Sequence, residues 1–233
     1  DDGPLHDYLG TRFERKGGQV LLSQPRMIQQ ILDLVGIDPN DEKTRRHDTP
    51  ADSETILHKD EKGNPRKQTW NYRAVVGCLS YLQAMVRPDI TFAVQACARF
   101  CNDPKQSHEE AVKRICRYLL ATRDRGICMK PDRSKGLECY VDADWAGSWH
   151  KDHTNDPSTA HSRTGYVISF AGCPIIWGSK MQSLIALSTA ESEYIALSTA
   201  LREVIYVMNL LNELKGRGFT VPSPTPKVVR KVF

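Results

Sequence analysis

A change of hydrophobic periodicity near residue 131 is the feature that most constrains the fold of this chain. Before it, apolar residues recur mainly at helical spacing, whereas after it three strand-like segments precede one long helical pattern. A polar segment at residues 131–136 separates the two patterns. With 233 residues, the chain is long enough for two small domains. We therefore predict domains at residues 1–130 and 131–233 and an α+β fold class.

The first part is predicted to be mostly helical after a short hairpin. Gly17 and Gly18 favour a turn between two strands, and the Pro-rich, charged residues 38–68 indicate a long loop. Ser107 and Glu110 have the spacing of a helix capping box. The expected strands are residues 8–14 and 19–23, and the expected helices are residues 25–35, 70–85, 89–101 and 107–121.

The second part is predicted to be an antiparallel three-stranded sheet, a long helix and the start of a fourth strand. The helix, at residues 189–214, has apolar residues at 3-4-3-4-3 spacing, which predicts the face that packs on the sheet. This stripe consists of Tyr194, Leu197, Leu201, Val204, Met208 and Leu211. The expected strands are residues 137–145, 165–171, 174–179 and, incomplete, 227–233.

Composition narrows the class of protein. Apolar residues make up 40% and charged residues 26%, which excludes global disorder. No uninterrupted run of about 18 apolar residues is present, so we expect no membrane span. The acidic start does not resemble a signal peptide. The seven Cys are scattered without a Cys-x-x-Cys pair, which argues against zinc and favours reduced thiols in an intracellular protein.

Basic residues are concentrated in the first part. The net charge is +4, and residues 136–233 contribute nothing to it because they hold nine basic and nine acidic residues. Lys113, Arg114 and Arg117 lie on the helix predicted at residues 107–121. They are candidates for contact with a nucleic-acid backbone, and a solvated basic face is the alternative.

Two groups of carboxylates are candidates for catalysis. Asp142 and Asp144 would share one face of a strand. Ser188 and Glu191 fit a helix capping box, which gives Glu191 a structural role, and Glu193 would lie about 200° further round the helix. Carboxylates that converge could hold Mg²⁺ for phosphodiester hydrolysis. An exposed strand end for Asp142 and first-turn dipole stabilisation for Glu193 are the alternatives.

Several motifs, in order, resemble the polyprotein of Ty1/copia-type retrotransposons. Those in the second part resemble its ribonuclease H region, and those in the first part resemble the end of its reverse transcriptase. The former are YVDADWAG at residues 140–147, RTGYV at 163–167, IIWGSKMQ at 175–182 and LSTAESEYIAL at 187–197. The latter are YLG at residues 8–10, LSQ at 22–24, YRAVVGCLSYL at 72–82, RPDI at 87–90 and RYL at 117–119.

The resemblance implies a two-metal enzyme that cleaves the RNA strand of RNA/DNA hybrids with Mg²⁺ or Mn²⁺. Asp142 matches the first catalytic Asp, which would bridge both metals. Glu193 matches the catalytic Glu, since Ala196 follows three positions later as in the family. One metal would activate water and the other would stabilise the leaving oxygen. Residues 1–130 would be a thumb and connection segment that holds duplex by its backbone.

Two departures from the family limit the expected activity. The third catalytic Asp would follow Phe233, so we expect weak or absent cleavage. The polymerase motif would precede residue 1, because Asp1 and Asp2 lack its context. A non-catalytic nucleic-acid-binding remnant and a decayed retroelement fragment are the alternatives. His150, His153 and His161 match no family ligand and are interpreted as loop residues, with an adventitious metal site as the alternative.

The resemblance also implies partners and a location. The partners would be RNA/DNA hybrid or duplex nucleic acid and the rest of the polyprotein, namely integrase and the palm and fingers of reverse transcriptase. No membrane is expected. The location would be intracellular, in a cytoplasmic virus-like particle, the nucleus or both.

Overall fold

The chain folds into two compact units, Asp1–Cys128 and Met129–Phe233. The computed structural model describes residues 6–52, 55–153 and 156–230. Both helices and strands are present in each unit, so the fold is α+β as the sequence predicts.

A four-stranded sheet in the first unit makes this unit less purely helical than expected. Its order is β1-β2-β3-β4, with β1 at Asp7–Tyr8, β2 at Thr11–Lys16, β3 at Gln19–Ser23 and β4 at Ile127–Met129. The single strand expected at residues 8–14 is wrong, because Leu9 and Gly10 have positive φ and turn the chain between β1 and β2. The sequence analysis missed β4, whose three residues are too few to show a periodicity.

Four helices surround the core of the first unit. They are α1 at Pro25–Val35, α2 at Tyr72–Met85, α3 at Thr91–Ala98 and α4 at Gln106–Ala121. A 3₁₀ turn at Pro88–Ile90 precedes α3, so the helix expected at residues 89–101 is shorter and less regular than predicted. The fully buried side chains include Ile31, Leu79, Ile90, Ile115 and Leu119.

The start of α4 differs from the expected capping box of Ser107 and Glu110. Lys105 occupies the N-cap, and its backbone N–H donates to Nδ1 of His108 over 2.9 Å. Ser107 instead donates to Asp60 over 2.7 Å, and Glu110 accepts from Gln106 over 2.7 Å. The predicted box is therefore wrong, because a histidine three residues after the N-cap performs the role expected of a carboxylate.

The second unit contains a mixed sheet of order β7-β6-β5-β8. Its strands are β5 at Leu137–Asp144, β6 at Arg163–Phe170, β7 at Cys173–Met181 and β8 at Lys227–Arg230. β5, β6 and β7 are antiparallel neighbours, whereas β8 is parallel to β5. The three antiparallel strands and the short fourth strand agree with the predicted order of elements.

The long helix α5, Thr189–Gly216, packs against β5 and β6. Its buried residues are Ser192, Ala196, Ala200, Val204, Val207 and Leu211. Tyr194, which the expected stripe included, is 73% exposed, so the buried face is rotated from the predicted one. The reason is close packing: Ala196 and Ala200 have side chains small enough to bring α5 against the sheet, which a pattern of large apolar residues does not reveal.

Within the described residues, α5 is long and apolar enough to cross a membrane by length and composition. The expectation that the sequence contains no such segment is therefore too strong. The buried residues of α5 pack on Leu137, Cys139, Val141 and Ile168 of the sheet, while 28% of its most apolar 18-residue window is buried.

All seven cysteines are free thiols, which agrees with the reduced state expected from the sequence. Cys97, Cys116, Cys139 and Cys173 are buried. Burial raises the pKa of Cys97 and of Cys116 to about 12, so neither thiol is reactive at neutral pH.

Candidate active site

Strand β5 separates a core face from a polar face. Leu137, Cys139 and Val141 are buried against α5. By the alternation of a strand, Asp142 and Asp144 lie on the opposite face, where Asp142 is half-buried and Asp144 is exposed. The predicted sharing of one face by these two carboxylates agrees with this burial pattern.

The space beside Asp142 is open. Its partner across β6 is Gly165, and the partner of Gly165 across β7 is Ser179. A Cβ placed on Gly165 would contact nothing within 4 Å. A substrate or ion can therefore approach the Asp142 carboxylate over the middle of the sheet without displacing a side chain at Gly165.

Arg163 adds a positive charge to this face. It lies opposite Asp144 in the register of β5 and β6. It is only 6% exposed, and its Nη1 donates to Ser179 Oγ over 3.4 Å. A buried guanidinium at the end of a strand is unusual. The sequence analysis quoted Arg163 as part of a motif but gave it no role, although an Arg at the start of an apolar strand is a visible signal.

The first turn of α5 is capped as predicted. Ser188 is the N-cap, and its Oγ accepts from the Glu191 N–H over 3.2 Å. The Glu191 carboxylate accepts from the Leu187 N–H over 2.7 Å. Glu191 is therefore committed to the helix start, which confirms its structural role.

Gln182 fixes the start of α5 to the sheet. This buried side chain donates from Nε2 to Thr164 Oγ1 over 3.1 Å and to the Ser192 carbonyl over 2.8 Å. Nearby, Trp145 Nε1 donates to the Ala186 carbonyl over 3.0 Å. Because Thr164 is the cross-strand partner of Ala143, these bonds place the first turn of α5 at the end of the sheet where Asp142 lies.

Glu193 is half-buried and follows the fully buried Ser192. It precedes the buried Ala196 by three residues, so it lies on the side of α5 that meets the sheet. The structure thus brings Glu193 and Asp142 to the same end of the sheet. It also places Asp142 on the face of β5 that is turned away from the core beneath α5.

The donors available for a metal are incomplete. Carboxylate oxygens suit Mg²⁺ and Mn²⁺. In the part of the chain that the structure describes, however, no group of three or more His, Cys, Asp or Glu side chains could hold a metal ion. Asp142 and Glu193 alone do not make a complete site. His150, which lies 3.4 Å from Asp152, and His161 likewise belong to no group of three or more possible ligands among the described residues.

The basic residues of α4 are in use within the first unit. Lys113 pairs with Glu109 over 3.0 Å. Arg114 contacts the long loop of residues 38–68, hereafter the long connection between α1 and α2. Its Nη1 lies 3.2 Å from Asp52, and its Nη2 donates to Thr49 over 2.9 Å. Of the three residues predicted to contact nucleic acid, only Arg117 makes no hydrogen bond or ion pair to a described residue. Lys113 and Arg114 are therefore bonded within the first unit and do not form the solvated basic face that was the alternative interpretation.

Most of the chain is similar in sequence to known proteins. It is 36% identical over 223 residues to the retrovirus-related Pol polyprotein from transposon TNT 1-94 of Nicotiana tabacum, and 33% identical over 214 residues to that from transposon RE1 of Arabidopsis thaliana. These matches cover 92% of this chain but only 16% and 14% of the two polyproteins.

A shorter relative aligns along most of its length. The uncharacterized mitochondrial protein AtMg00810 of Arabidopsis thaliana is 30% identical over 207 residues, which are 88% of this chain and 80% of that protein. No protein-family model matches the chain. Over 92% of its length, the chain is therefore homologous to a part of the retrovirus-related Pol polyproteins of plant transposons.

Proposed function

We propose that the second unit is part of a ribonuclease H-type nuclease that acts on the RNA strand of RNA/DNA hybrids. The observation that carries the proposal is that the end of β5, which holds Asp142, and the first turn of α5, which holds Glu193, lie at the same end of a mixed sheet, with open space at Gly165. Asp142 and Glu193 would bind Mg²⁺ or Mn²⁺. Asp144 and Glu191 would not, because Glu191 caps α5 and Asp144 is the exposed strand end.

The open sheet face favours a substrate with a regular, negatively charged backbone. Gly165 and Ser179 leave a shallow surface next to Asp142, and the buried Arg163 lies one row further along. A phosphodiester backbone could lie over the small residues with its charge near Arg163. Asp142 would then face the scissile phosphate with the cation that it binds.

Two carboxylates hold a divalent cation only weakly, because Mg²⁺ usually takes further ligands from substrate phosphates and water. We therefore propose that this chain binds the cation weakly by itself and cleaves hybrid slowly or not at all. Further acidic ligands would come from elsewhere in the polyprotein. The homologous polyproteins are several times longer than this chain, which is consistent with that context.

For the first unit, we propose the role of the end of a reverse transcriptase, a thumb and connection segment that holds duplex by its backbone. The support is the position of its motifs before the proposed nuclease unit, together with Arg117 on α4, whose Nε has no acceptor among the described residues. Integrase and the palm and fingers of reverse transcriptase would be its neighbours in the polyprotein. An intracellular location, in virus-like particles or the nucleus, belongs to this proposal.

Cleavage of a labelled RNA/DNA hybrid, with Mg²⁺ and with Mn²⁺, tests the nuclease proposal. We expect at most slow cleavage of the RNA strand, lost in Asp142→Asn and in Glu193→Gln. The matched controls Asp144→Asn and Glu191→Gln remove a neighbouring carboxylate and should retain whatever activity the wild type has. Efficient Mg²⁺-dependent cleavage by this chain, or cleavage retained in Asp142→Asn, would contradict the proposal.

A non-catalytic nucleic-acid-binding remnant is the second candidate, favoured by the lack of a three-ligand group among the described residues. It predicts hybrid binding whose affinity falls steeply with salt, without turnover under any metal. Cleavage that depends on Asp142 would exclude it.

A further inference from the structure

Basic side chains from two segments of the first unit converge beside α4. Arg114 holds the connection at Thr49 and Asp52, which brings the preceding residues against the helix. Arg117 lies one turn further along α4. The charges of Arg114, Arg45 and Arg117 all act on His47, so the imidazole lies within electrostatic range of three guanidinium groups.

Two of these guanidinium groups are incompletely satisfied. The Nε atoms of Arg114 and Arg117 are inaccessible to solvent and have no hydrogen-bond acceptor among the described residues. Arg114 at least uses both Nη atoms, on Asp52 and Thr49. Arg117 has neither. Buried N–H groups of charged side chains nearly always have an acceptor, and leaving one without it is costly.

Among the described residues, positive charge exceeds negative charge in this cluster. Asp52 is paired with Arg114, and Asp48 is the acidic group that acts on His47. Burial and then the nearby Arg114, Arg45 and Arg117 hold the pKa of His47 below its ordinary value, while Asp48 opposes the shift. The local field therefore repels a further proton and attracts an anion.

We propose that Arg117, His47 and Arg114 form a binding site for a phosphate group between α4 and the long connection. Arginine binds phosphate through Nε–H and Nη–H together, so a phosphate would supply the acceptor that Arg117 lacks. The group could belong to a nucleic-acid backbone or to a free phosphate. This site deepens the proposed contact of the first unit with nucleic acid, and it is independent of Asp142 and Glu193.

Binding at this site should be linked to a proton. A phosphate next to His47 favours its charged form against the repulsion of Arg45, Arg114 and Arg117, with Asp48 already contributing in the same direction. Inorganic phosphate itself gains a proton in this range, so the linkage is read against His47→Gln: as the pH falls from 7.5 to 6, the affinity of the wild type should rise relative to that of His47→Gln. In His47→Gln this pH dependence should be reduced, because no imidazole remains in the cluster to titrate.

The test is a titration of the whole chain with inorganic phosphate, followed by NMR of the Arg117 Nε–Hε group and the His47 ring. We expect both signals to shift with one saturation curve. Arg117→Gln should weaken binding about tenfold or more, the loss of one charged hydrogen-bonding partner. Arg117→Lys, which keeps the charge, should retain part of the affinity. Arg125→Gln, an exposed arginine after α4, is the matched control and should leave binding unchanged.

A second arm identifies the source of the phosphate. An RNA/DNA hybrid that displaces inorganic phosphate from the Arg117 signal identifies a nucleic-acid backbone as the ligand, and failure to displace it identifies a free phosphate. Signals at Arg117 and His47 that do not move, or equal weakening by Arg117→Gln and Arg125→Gln, would overturn the site. Neither result depends on cleavage, so it leaves the nuclease proposal to its own test.

Discussion

The two units use charged side chains in opposite ways. In the first unit, ionised groups are buried and bonded to each other, so they build the structure. In the second unit, Asp142 is half-buried at one end of a sheet and is the proposed cation ligand, whereas Glu191 caps the long helix α5. The comparison teaches that the burial and bonding of a carboxylate, more than its presence in a motif, separates a structural role from a chemical one.

Arg87 is the clearest structural charge of the first unit. Its side chain is 1% exposed, binds Asp89 over 2.7 Å, and donates to the carbonyl and hydroxyl of Thr122 at the end of α4. Tyr118 completes the group by donating to Asp89 over 2.7 Å. Burial alone would raise the pKa of Asp89, but the bonds from Arg87 and Tyr118 lower it below its ordinary value.

Glu109 has the same role at the start of α4. The carboxylate is 2% exposed, accepts from Lys113 over 3.0 Å and from the Gln68 N–H over 3.1 Å, and lies 3.5 Å from Arg66. Arg66 in turn stacks over Trp70, 4.4 Å from the ring centroid. These bonds attach the end of the long connection to α4, so the connection is part of the folded first unit.

The largest expected effect comes from removing the buried charge at Arg87. Arg87→Ala would leave Asp89 without its ion-pair partner, with Tyr118 as a remaining donor, and would remove the Arg87 donor of the Thr122 carbonyl, which should cost about 3–5 kcal/mol of unfolding free energy. Urea unfolding followed by the amide signals of α4 measures this loss. The exposed Arg125→Ala is the control, expected within about 0.5 kcal/mol of the wild type. A loss below about 1 kcal/mol for Arg87→Ala would remove the contrast between the units.

A pH-dependent loss of stability is expected from His108. Its Nδ1 accepts from the Lys105 N–H and its Nε2 donates to the His58 carbonyl, each over 2.9 Å, so the neutral ring fits and a second proton on Nδ1 would face a donor. Burial holds the pKa of His108 below its ordinary value. Below pH about 6.5, the unfolded histidine therefore binds a proton that the folded one resists, and stability falls as the pH falls.

The measurement is the unfolding free energy of the first unit at pH 7.5 and at pH 5.5. We expect a loss on the order of 1 kcal/mol at the lower pH, within the limit of ~1.4 kcal/mol per pH unit for one group. His108→Gln should reduce the slope. Part of it should remain because the pKa of His47 is lowered in the same direction. An equal slope in the wild type and His108→Gln would refute this role for His108.

A smaller effect is expected at the start of α5. Ser188→Ala removes the N-cap acceptor of the Glu191 N–H and should cost about 1 kcal/mol in the second unit. Ser198→Ala, an exposed position within the same helix, should be neutral or slightly stabilising. Urea unfolding of both variants, followed by the amide signals of β6, provides the comparison. Equal stability of the two variants would show that the cap contributes nothing.

The smallest effect on stability is expected where we propose the chemistry. Asp142 is half-buried beside the open space at Gly165, so Asp142→Asn should change the unfolding free energy by no more than about 0.5 kcal/mol. Thermal unfolding of the variant and of Asp144→Asn should give similar midpoints. A loss above about 2 kcal/mol would make Asp142 a structural group like Asp89.

Periodicity predicted the elements better than it predicted their contacts. The bounds of α1 and the order of β5, β6, β7 and α5 follow from repeating apolar positions and turn residues. The cap at His108 did not follow, because a histidine that accepts from a backbone N–H depends on tertiary contacts with His58 and Phe100. The burial of Arg87 was hidden for the same reason, since its partner Thr122 lies 35 residues away.

The local placement of the candidate residues was predictable from the sequence, but their tertiary surroundings were not. Strand alternation placed Asp142 with Asp144, and the capping pattern separated Glu191 from Glu193. The position of the first turn of α5 at this end of the sheet depends on Gln182, whose bonds to Thr164 and Ser192 no spacing rule supplies. The use of Lys113 and Arg114 within the first unit was likewise invisible, because their partners are set by the path of the long connection.

The central claim is that Asp142 and Glu193, at the end of the sheet where α5 begins, bind a divalent cation. The direct test is paramagnetic broadening of amide NMR signals by substoichiometric Mn²⁺. The account predicts broadening centred on the end of β5 and the first turn of α5, lost in Asp142→Asn and Glu193→Gln and kept in Asp144→Asn and Glu191→Gln. Broadening that is unchanged in Asp142→Asn, or centred elsewhere in the chain, would contradict it.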